Sequence, residues 1–363
     1  MSAEETKFEQ LPEDVVAEIL SRLPTKSLLQ CKSVRKNWCT LIQNPSFIAK
    51  HHHHPNNAAL SFVHHYSLDA MKSGFSLFDE QTQVLASHSY QDYTKTRASV
   101  WEINGPLNGL FSLYNDEEEV TLWNPATREA KSLPVSYPPV SASFRMNSYK
   151  LGFGMDPSSG EYKVVWIRDY WDPILDGWHS HSIISVYTLA TDSWKHSEEL
   201  KICSRLIGKS SCNTYLDGFY YWRANDNGKI VSFDMGNEVF AEIQTPETFK
   251  STQGDLALYN DCVAMFLYES MNMQTSIDVW VMDKAIMCWT KMASVGPFSN
   301  IKRPLGYGKN GEILLEIVNS EVHMYDPRIK EIRALGPRRK GYSLQASVFK
   351  ESLVSVKSLV AQR

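Results

Sequence analysis

Two periods divide the chain. From residue 8 to about residue 50, apolar positions return at helical spacing. Val16, Ile19, Leu20 and Leu23 fall at i, i+3, i+4 and i+7, one stripe of an amphipathic helix. Leu11-Pro12-Glu13-Asp14 opens it. A proline at the first helical position gives up an N–H that has no partner there, and the two acids complement the helix dipole. Pro24 stops this helix, and Thr25 is placed to N-cap a second one carrying Leu28 and Leu29. Val34, Trp38, Leu41 and Ile42 form a third stripe that ends at Asn44-Pro45. Three short helices in about 40 residues make only a marginal core, so such a module needs a partner surface over its exposed apolar side.

From about residue 60 the period changes to that of strands. Short β-branched and aromatic runs alternate with Gly, Asn, Asp and Pro turns: Val120–Trp123, Tyr162–Ile167, Ile183–Tyr187, Ile230–Phe233, Ile277–Val281 and Gly311–Ile317. No helical pattern interrupts them. A degenerate repeat runs through this region, an apolar strand, a tight polar turn and a second strand that often carries Trp or Phe. It stands at 122–134, 186–200, 232–246, 279–292 and 324–335. With Leu189, Asp234, Asp283 and Asp326 as markers, the steps are 45, 49 and 43 residues, the size of a four-stranded propeller blade. The longer step from Asn124 to Leu189 predicts an insert in the second blade. The run Gln345–Lys357 is placed to pair with residues 60–85 and close the ring. The pattern therefore predicts an α+β multidomain chain. A small N-terminal three-helix unit (8–50) and a linker (51–59) precede an all-β domain (60–363), a five- or six-bladed propeller, with a β-sandwich as the alternative.

Charge changes this picture little. The formal net charge is −4 and the pI about 6.3, which speaks against a general nucleic-acid binder. The first residues are acidic and polar, unlike a secretory signal, and no run of about 18 apolar residues predicts a membrane span. Six scattered cysteines without a C-x-x-C pair fit a reducing cytoplasmic or nuclear compartment.

The segment 8–50 resembles the F-box. The residues that carry the likeness are Leu11-Pro12-Glu13-Asp14, Ile19-Leu20, Arg22-Leu23-Pro24, Lys26 to Leu28, Cys31 to Val34, Lys36, Trp38 and Asn44-Pro45 to Phe47. The remainder resembles the plant F-box-associated domain, through Asn108-Gly109, Trp123–Glu129, Gly152–Gly154, Gly160–Val165, Val186-Tyr187, Ser193–Lys195 and Gly218–Trp222. Within that group the sequence is similar to the S-locus F-box and S-locus F-box-like proteins of the rose family. The resemblance implies a non-catalytic substrate-recognition subunit of an SCF (Skp–cullin–F-box) ubiquitin ligase. Its F-box would dock the Skp-type adaptor of the cullin complex, and its β domain would hold a protein substrate, under the S-locus likeness a basic ribonuclease in self-incompatibility. General protein turnover, inhibition without ligase delivery and a propeller enzyme are the alternatives.

On this reading the adaptor would contact Leu11, Pro12, Val16, Leu20, Leu23, Pro24 and Leu28, ringed by Arg22, Lys26, Lys32, Arg35, Lys36 and Lys50, a basic rim for an acidic partner. Trp38 reads as core. The candidate substrate segment is the insert 168–182, with Asp169, Tyr170, Trp171, Asp172, Asp176 and Trp178: aromatic anchors among acids, suited to a basic protein.

Other chemistry-like signals read as structure. Gly306 to Gly311 matches G-x-G-x-x-G, but a strand follows where a dinucleotide site needs a helix. Gly208-Lys-Ser210 lacks the earlier glycine of a phosphate loop. The run His51–His54 has no spaced partner ligands and reads as a cap or linker, and His179 and His181 form no metal pattern. The acids 116–119 read as a solvated loop. No catalytic residue, metal or cofactor is expected.

Overall fold

In a computed structural model of the chain, residues 11–79, 84–90, 101–115, 117–140, 143–171, 180–197, 214–224, 228–251, 253–259, 261–269, 274–318, 321–335 and 341–357 are described. The helical unit has four helices: α1 (Glu13–Ser21), α2 (Thr25–Cys31), α3 (Lys36–Gln43) and α4 (Pro45–His53). Pro12 and Pro24 stand at the N-caps of α1 and α2, one position before the places expected for them and for Thr25. Asn44-Pro45, expected as a helix end, is also a helix start. The Asn44 side chain accepts from the Ser46 N–H at 2.9 Å, and Pro45 takes the N-terminal position where its missing N–H costs nothing. The fourth helix then runs through His53, so His51 to His53 continue a helix rather than open a linker.

Inside this unit Leu20, Leu28, Ile42 and Phe47 are buried together. Val16, Leu23, Leu29, Trp38 and Leu41 pack around them, which places Trp38 at the edge of the core. A fifth buried member, Leu353, comes from the far end of the chain.

The described β residues form six four-stranded antiparallel sheets. The second sheet is β4 (Trp101–Leu107), β5 (Leu110–Asn115), β6 (Val120–Asn124) and β7 (Glu129–Ser132). The third is β8 (Arg145–Met155), β9 (Tyr162–Trp171), β10 (Ser180–Thr188) and β11 (Ser193–Ser197). The fourth runs from β12 (Tyr215–Leu216) and β13 (Phe219–Arg223) to β14 (Ile230–Asp234) and β15 (Val239–Ile243). The fifth contains β16 (Gln253–Tyr259) to β19 (Cys288–Ser299), and the sixth β20 (Ile301–Tyr307) to β23 (Glu331–Ala334). The first sheet draws on both ends of the domain. β24 (Gly341–Phe349) pairs with β1 (Leu60–Ser67), which continues to β2 (Lys72–Phe78) and β3 (Val84–Ser89). One short helix, α5 (Thr248–Ser251), interrupts the strands where none was expected.

Six apolar clusters fill the six seams between neighbouring sheets. Phe62, Phe75, Phe111, Trp123 and Phe349 join the first and second. Leu122, Phe153, Trp166 and Tyr187 join the second and third, and Ile167, Val186, Trp222 and Phe233 the third and fourth. Leu256, Met265 and Ile230 follow, then Phe266, Ile313 and Tyr325, and finally Val63, Leu305 and Ala346 between the sixth and first. A seam at every sheet is a closed ring, so the protein is a six-bladed propeller. Closure by β24 leaves no blade with an unpaired inner strand.

Antiparallel turns alternate between the two ends of the ring. Met155 pairs with Tyr162 at the end that faces the helical unit, here called the near end. Arg145 pairs with Trp171, and Trp171 with Ser180, at the far end.

Candidate functional site

The N-terminal helix is apolar on two sides. Val16, Ala17 and Leu20 turn inward to the helical core. Val15 and Ile19, four residues apart on the helix, form a second side that stays 38% and 42% exposed, and Leu11, just before the helix, is 38% exposed. Pro12 and Pro24 are exposed beside it, Leu23 is half-buried, and Val34 is 61% exposed at the turn between α2 and α3. Of the residues expected at a contact, Leu20 and Leu28 are therefore corrected to core: both are buried beneath the surface they support. Val15, Ile19 and Val34, exposed on the same unit, were not among the residues expected at a contact.

The basic rim is partly committed inside the unit. Glu18 holds Lys50 at 2.6 Å and Arg22 at 2.8 Å, tying α1 to α4. Hydrogen bonds from Lys50, then Arg22, hold the Glu18 carboxyl down at about 2. Lys26 and Lys36 are exposed, Lys32 and Arg35 half-buried.

The helical unit meets the near end of the ring through the segment that follows β24. The Glu351 carbonyl accepts from His52 Nδ1 at 3.1 Å and from Asn57 Nδ2 at 2.9 Å. One turn of the second blade grips the next residues: Asn124 Nδ2 donates to the Ser352 carbonyl at 3.0 Å and to the Val354 carbonyl at 2.7 Å. The same side chain accepts from the Ala126 N–H at 2.9 Å, so one Asn side chain closes its own turn and holds a neighbouring segment. Ser355 Oγ donates to Glu129 Oε2 at 2.7 Å. Beside this segment a groove of about 420 Å³ lies between α4 and the ring, bordered by Ile48, His52, Tyr162 and Leu353.

The histidine run is spent on backbone. His51 Nε2 donates to the Leu23 carbonyl at 2.9 Å, and His53 Nδ1 to the Ala49 carbonyl at 2.8 Å. A carbonyl can only accept, so each ring carries its proton on the named nitrogen. Burial pushes His51 and His52 below the ordinary histidine value. Among the described residues no three His, Cys, Asp or Glu side chains are grouped to hold a metal.

At the far end, β9 delivers Asp169, Tyr170 and Trp171. Tyr170 is buried, and the Asp169 carboxylate is already occupied, accepting from Ser148 Oγ at 2.7 Å and Ser182 Oγ at 2.6 Å. Beneath them Arg168 is buried, its guanidinium 4.0 Å over the Trp166 ring. It donates to Ser136 Oγ and Ser185 Oγ, both at 2.7 Å, which pins the connection that leads into this blade. Burial lowers its pKa from the ordinary arginine value. Trp171 is 45% exposed. Asp172, Asp176 and Trp178 lie outside the described residues, as do Gly208 to Ser210 and His179.

The G-x-G-x-x-G stretch is the turn between β20 and β21 (Ile313–Ile317), closed by Gly308 N–H to the Glu312 carbonyl and by Asn310 bonds to the Glu312 carboxylate. Glu117 and Glu119 lie in a tight turn whose N–H groups Asn115 accepts. Buried charges elsewhere serve the sheets. Lys163 bridges Glu238 at 2.9 Å between the third and fourth blades, and Glu316 holds Arg303 at 2.9 Å within the sixth. Among the described residues no helix is long and apolar enough to cross a membrane.

Comparison with known proteins agrees with this arrangement. The F-box domain model matches residues 8–50, and the F-box associated beta propeller domain model matches residues 60–343. F-box protein CPR1 of Arabidopsis thaliana is 26% identical over 373 residues, spanning 95% of this chain and 88% of its own length. An F-box/kelch-repeat protein of the same plant is 28% identical over 334 residues, spanning 84% of this chain and 85% of its own length. Among solved structures, an oligogalacturonate lyase in complex with manganese is similar with a TM-score of 0.41 and 11% identity, over 76% of this chain and 78% of that one. F-box proteins are generally non-catalytic adaptor subunits, and an F-box implies binding to the Skp-type adaptor of an SCF complex. With a helical unit matching the one model and a six-bladed ring matching the other, the chain belongs to the plant F-box proteins that carry an F-box associated beta propeller domain.

Proposed function

We propose that this chain is the substrate-recognition subunit of an SCF-type ubiquitin ligase, working in the cytoplasm or nucleus. The Skp-type adaptor docks on the Leu11, Val15 and Ile19 stripe with Pro12, Leu23 and Pro24, and the far end of the propeller captures the protein to be modified. The observation that carries this reading is the exposed apolar side of α1 at Val15 and Ile19, on a unit fastened to one end of a ring whose other end bears Trp171. The contribution to ubiquitin transfer is proximity: the chain makes no bond itself and raises the concentration of substrate lysines near the loaded enzyme.

The substrate class follows from the acidic, aromatic segment 169–178. A basic protein fits it, and a self-incompatibility ribonuclease is the candidate that the S-locus likeness supplies. Because Asp169 is bound within its own sheet, the capture surface rests on Trp171 with Asp172, Asp176 and Trp178.

The test is capture from plant extract by the wild type beside a Leu11→Ala/Pro12→Ala variant, read by mass spectrometry. The adaptor and a cullin are expected with the wild type and lost with the variant, while proteins held by both baits are substrate candidates. Absence of the adaptor from both would refute the ligase reading.

A further inference from the structure

We propose that the C-terminal segment Lys350–Val356 is a working part of the adaptor-docking unit. Leu353 is the positioning residue that completes the helical core and holds the α1 stripe in place. This rests on the docking role assigned above to that stripe.

The core of the helical unit includes a side chain from outside the unit. Its four helices have 9, 7, 8 and 9 residues, shorter than isolated helices need to persist in water. Four of its apolar side chains are fully enclosed, Leu20, Leu28, Ile42 and Phe47. The remaining place is filled by Leu353, 1% exposed, which reaches in after the chain has gone once around the propeller.

The segment that carries Leu353 is held on both flanks. The Glu351 carbonyl faces the helical unit and takes bonds from His52 and Asn57. Ser352 and Val354 offer their carbonyls to Asn124 of the second blade, and Ser355 reaches Glu129 of the same blade. Val356 is fully buried in the seam between the second and third blades. The close approach depends on Gly109: a Cβ there would stand 2.4 Å from the Ser352 Cβ, and the backbone φ of +77° suits glycine. Residues 351 and 353 thus face the helices while 352, 354, 355 and 356 are gripped by the ring. Such a two-sided ribbon makes the orientation of α1 a property of the propeller.

Adaptor affinity should therefore depend on a residue some 340 positions from the docking stripe. If only part of the population holds the helical unit in its docking form, apparent affinity falls in proportion to that part.

The experiment uses the full chain and purified Skp-type adaptor, with affinity measured by calorimetry and local stability by amide hydrogen exchange. Leu353→Ala is expected to weaken adaptor binding about tenfold or more and to speed exchange in α2–α4, with the propeller strands still protected. Leu353→Met keeps the side-chain volume and is expected to bind as the wild type does. Ile19→Asp, in the docking stripe itself, is expected to abolish binding with α2–α4 still protected. Wild-type affinity and unchanged α2–α4 exchange in Leu353→Ala, with binding abolished in Ile19→Asp, would overturn the role of the segment alone. Undiminished binding in Ile19→Asp would instead overturn the docking assignment.

Discussion

At the scale of single residues, what separates contact from core is which side of a helix a side chain occupies. α1 carries two apolar stripes, and its periodicity cannot say which one faces a partner. Leu20, expected at a contact, lies in the core, while Val15, not expected there, is exposed. Leu353 was out of reach for a different reason: its partners are far away in sequence, and no local period marks it. Two residue-scale outcomes follow. Glu316 is fully enclosed and holds Arg303 and Lys302, so Glu316→Ala removes the carboxylate that the two cations share. A loss of about 1–3 kcal/mol in denaturant unfolding is expected. Trp171→Ala, on an exposed ring, should change stability by no more than about 0.5 kcal/mol. It should also reduce retention of substrate candidates from extract while leaving adaptor recovery unchanged. Equal retention would remove Trp171 from the capture surface.

At the scale of elements, the outer strand pairs of five blades were readable because each repeats one physical unit: a tight polar turn between two short strands. The first blade was not part of the repeat, and the expected pairing of Gln345–Lys357 with residues 60–85 holds in part: Gly341–Phe349 pairs as β24 with β1, while the residues after Phe349 leave the sheet. The fourth helix was missed because Asn44-Pro45 reads equally well as a stop and a start. Its last turn supplies a pH-dependent joint. His51 and His52 are held neutral by burial, with Lys350, Glu351, His53 and His54 as the charged or titratable groups acting on them. Their folded values lie below the ordinary 6.5. Stability from these two groups is then complete above that value and is lost as pH falls through it toward the folded values. Protection factors in α4, that is exchange rates corrected for their intrinsic pH dependence, should fall as pH drops below the ordinary histidine value, and a His51→Gln/His52→Gln variant should flatten that dependence. A flat profile in the wild type would refute the joint.

At the scale of the whole molecule, the chain is a ring with its docking unit locked to one end and its capture candidate at the other. That separation follows from the antiparallel order of the blades: the near-end turns grip the C-terminal segment, and the end of β9 that bears Trp171 can only lie opposite. On the proposed function, this arrangement turns two binding events into one delivery geometry. The most direct test is calorimetric titration of the full-length chain with purified Skp-type adaptor, wild type beside Ile19→Asp. A one-to-one complex with the wild type and none with the variant, whose propeller unfolds at the same temperature, is the predicted result. No complex with the wild type, or equal binding by both, would contradict the account.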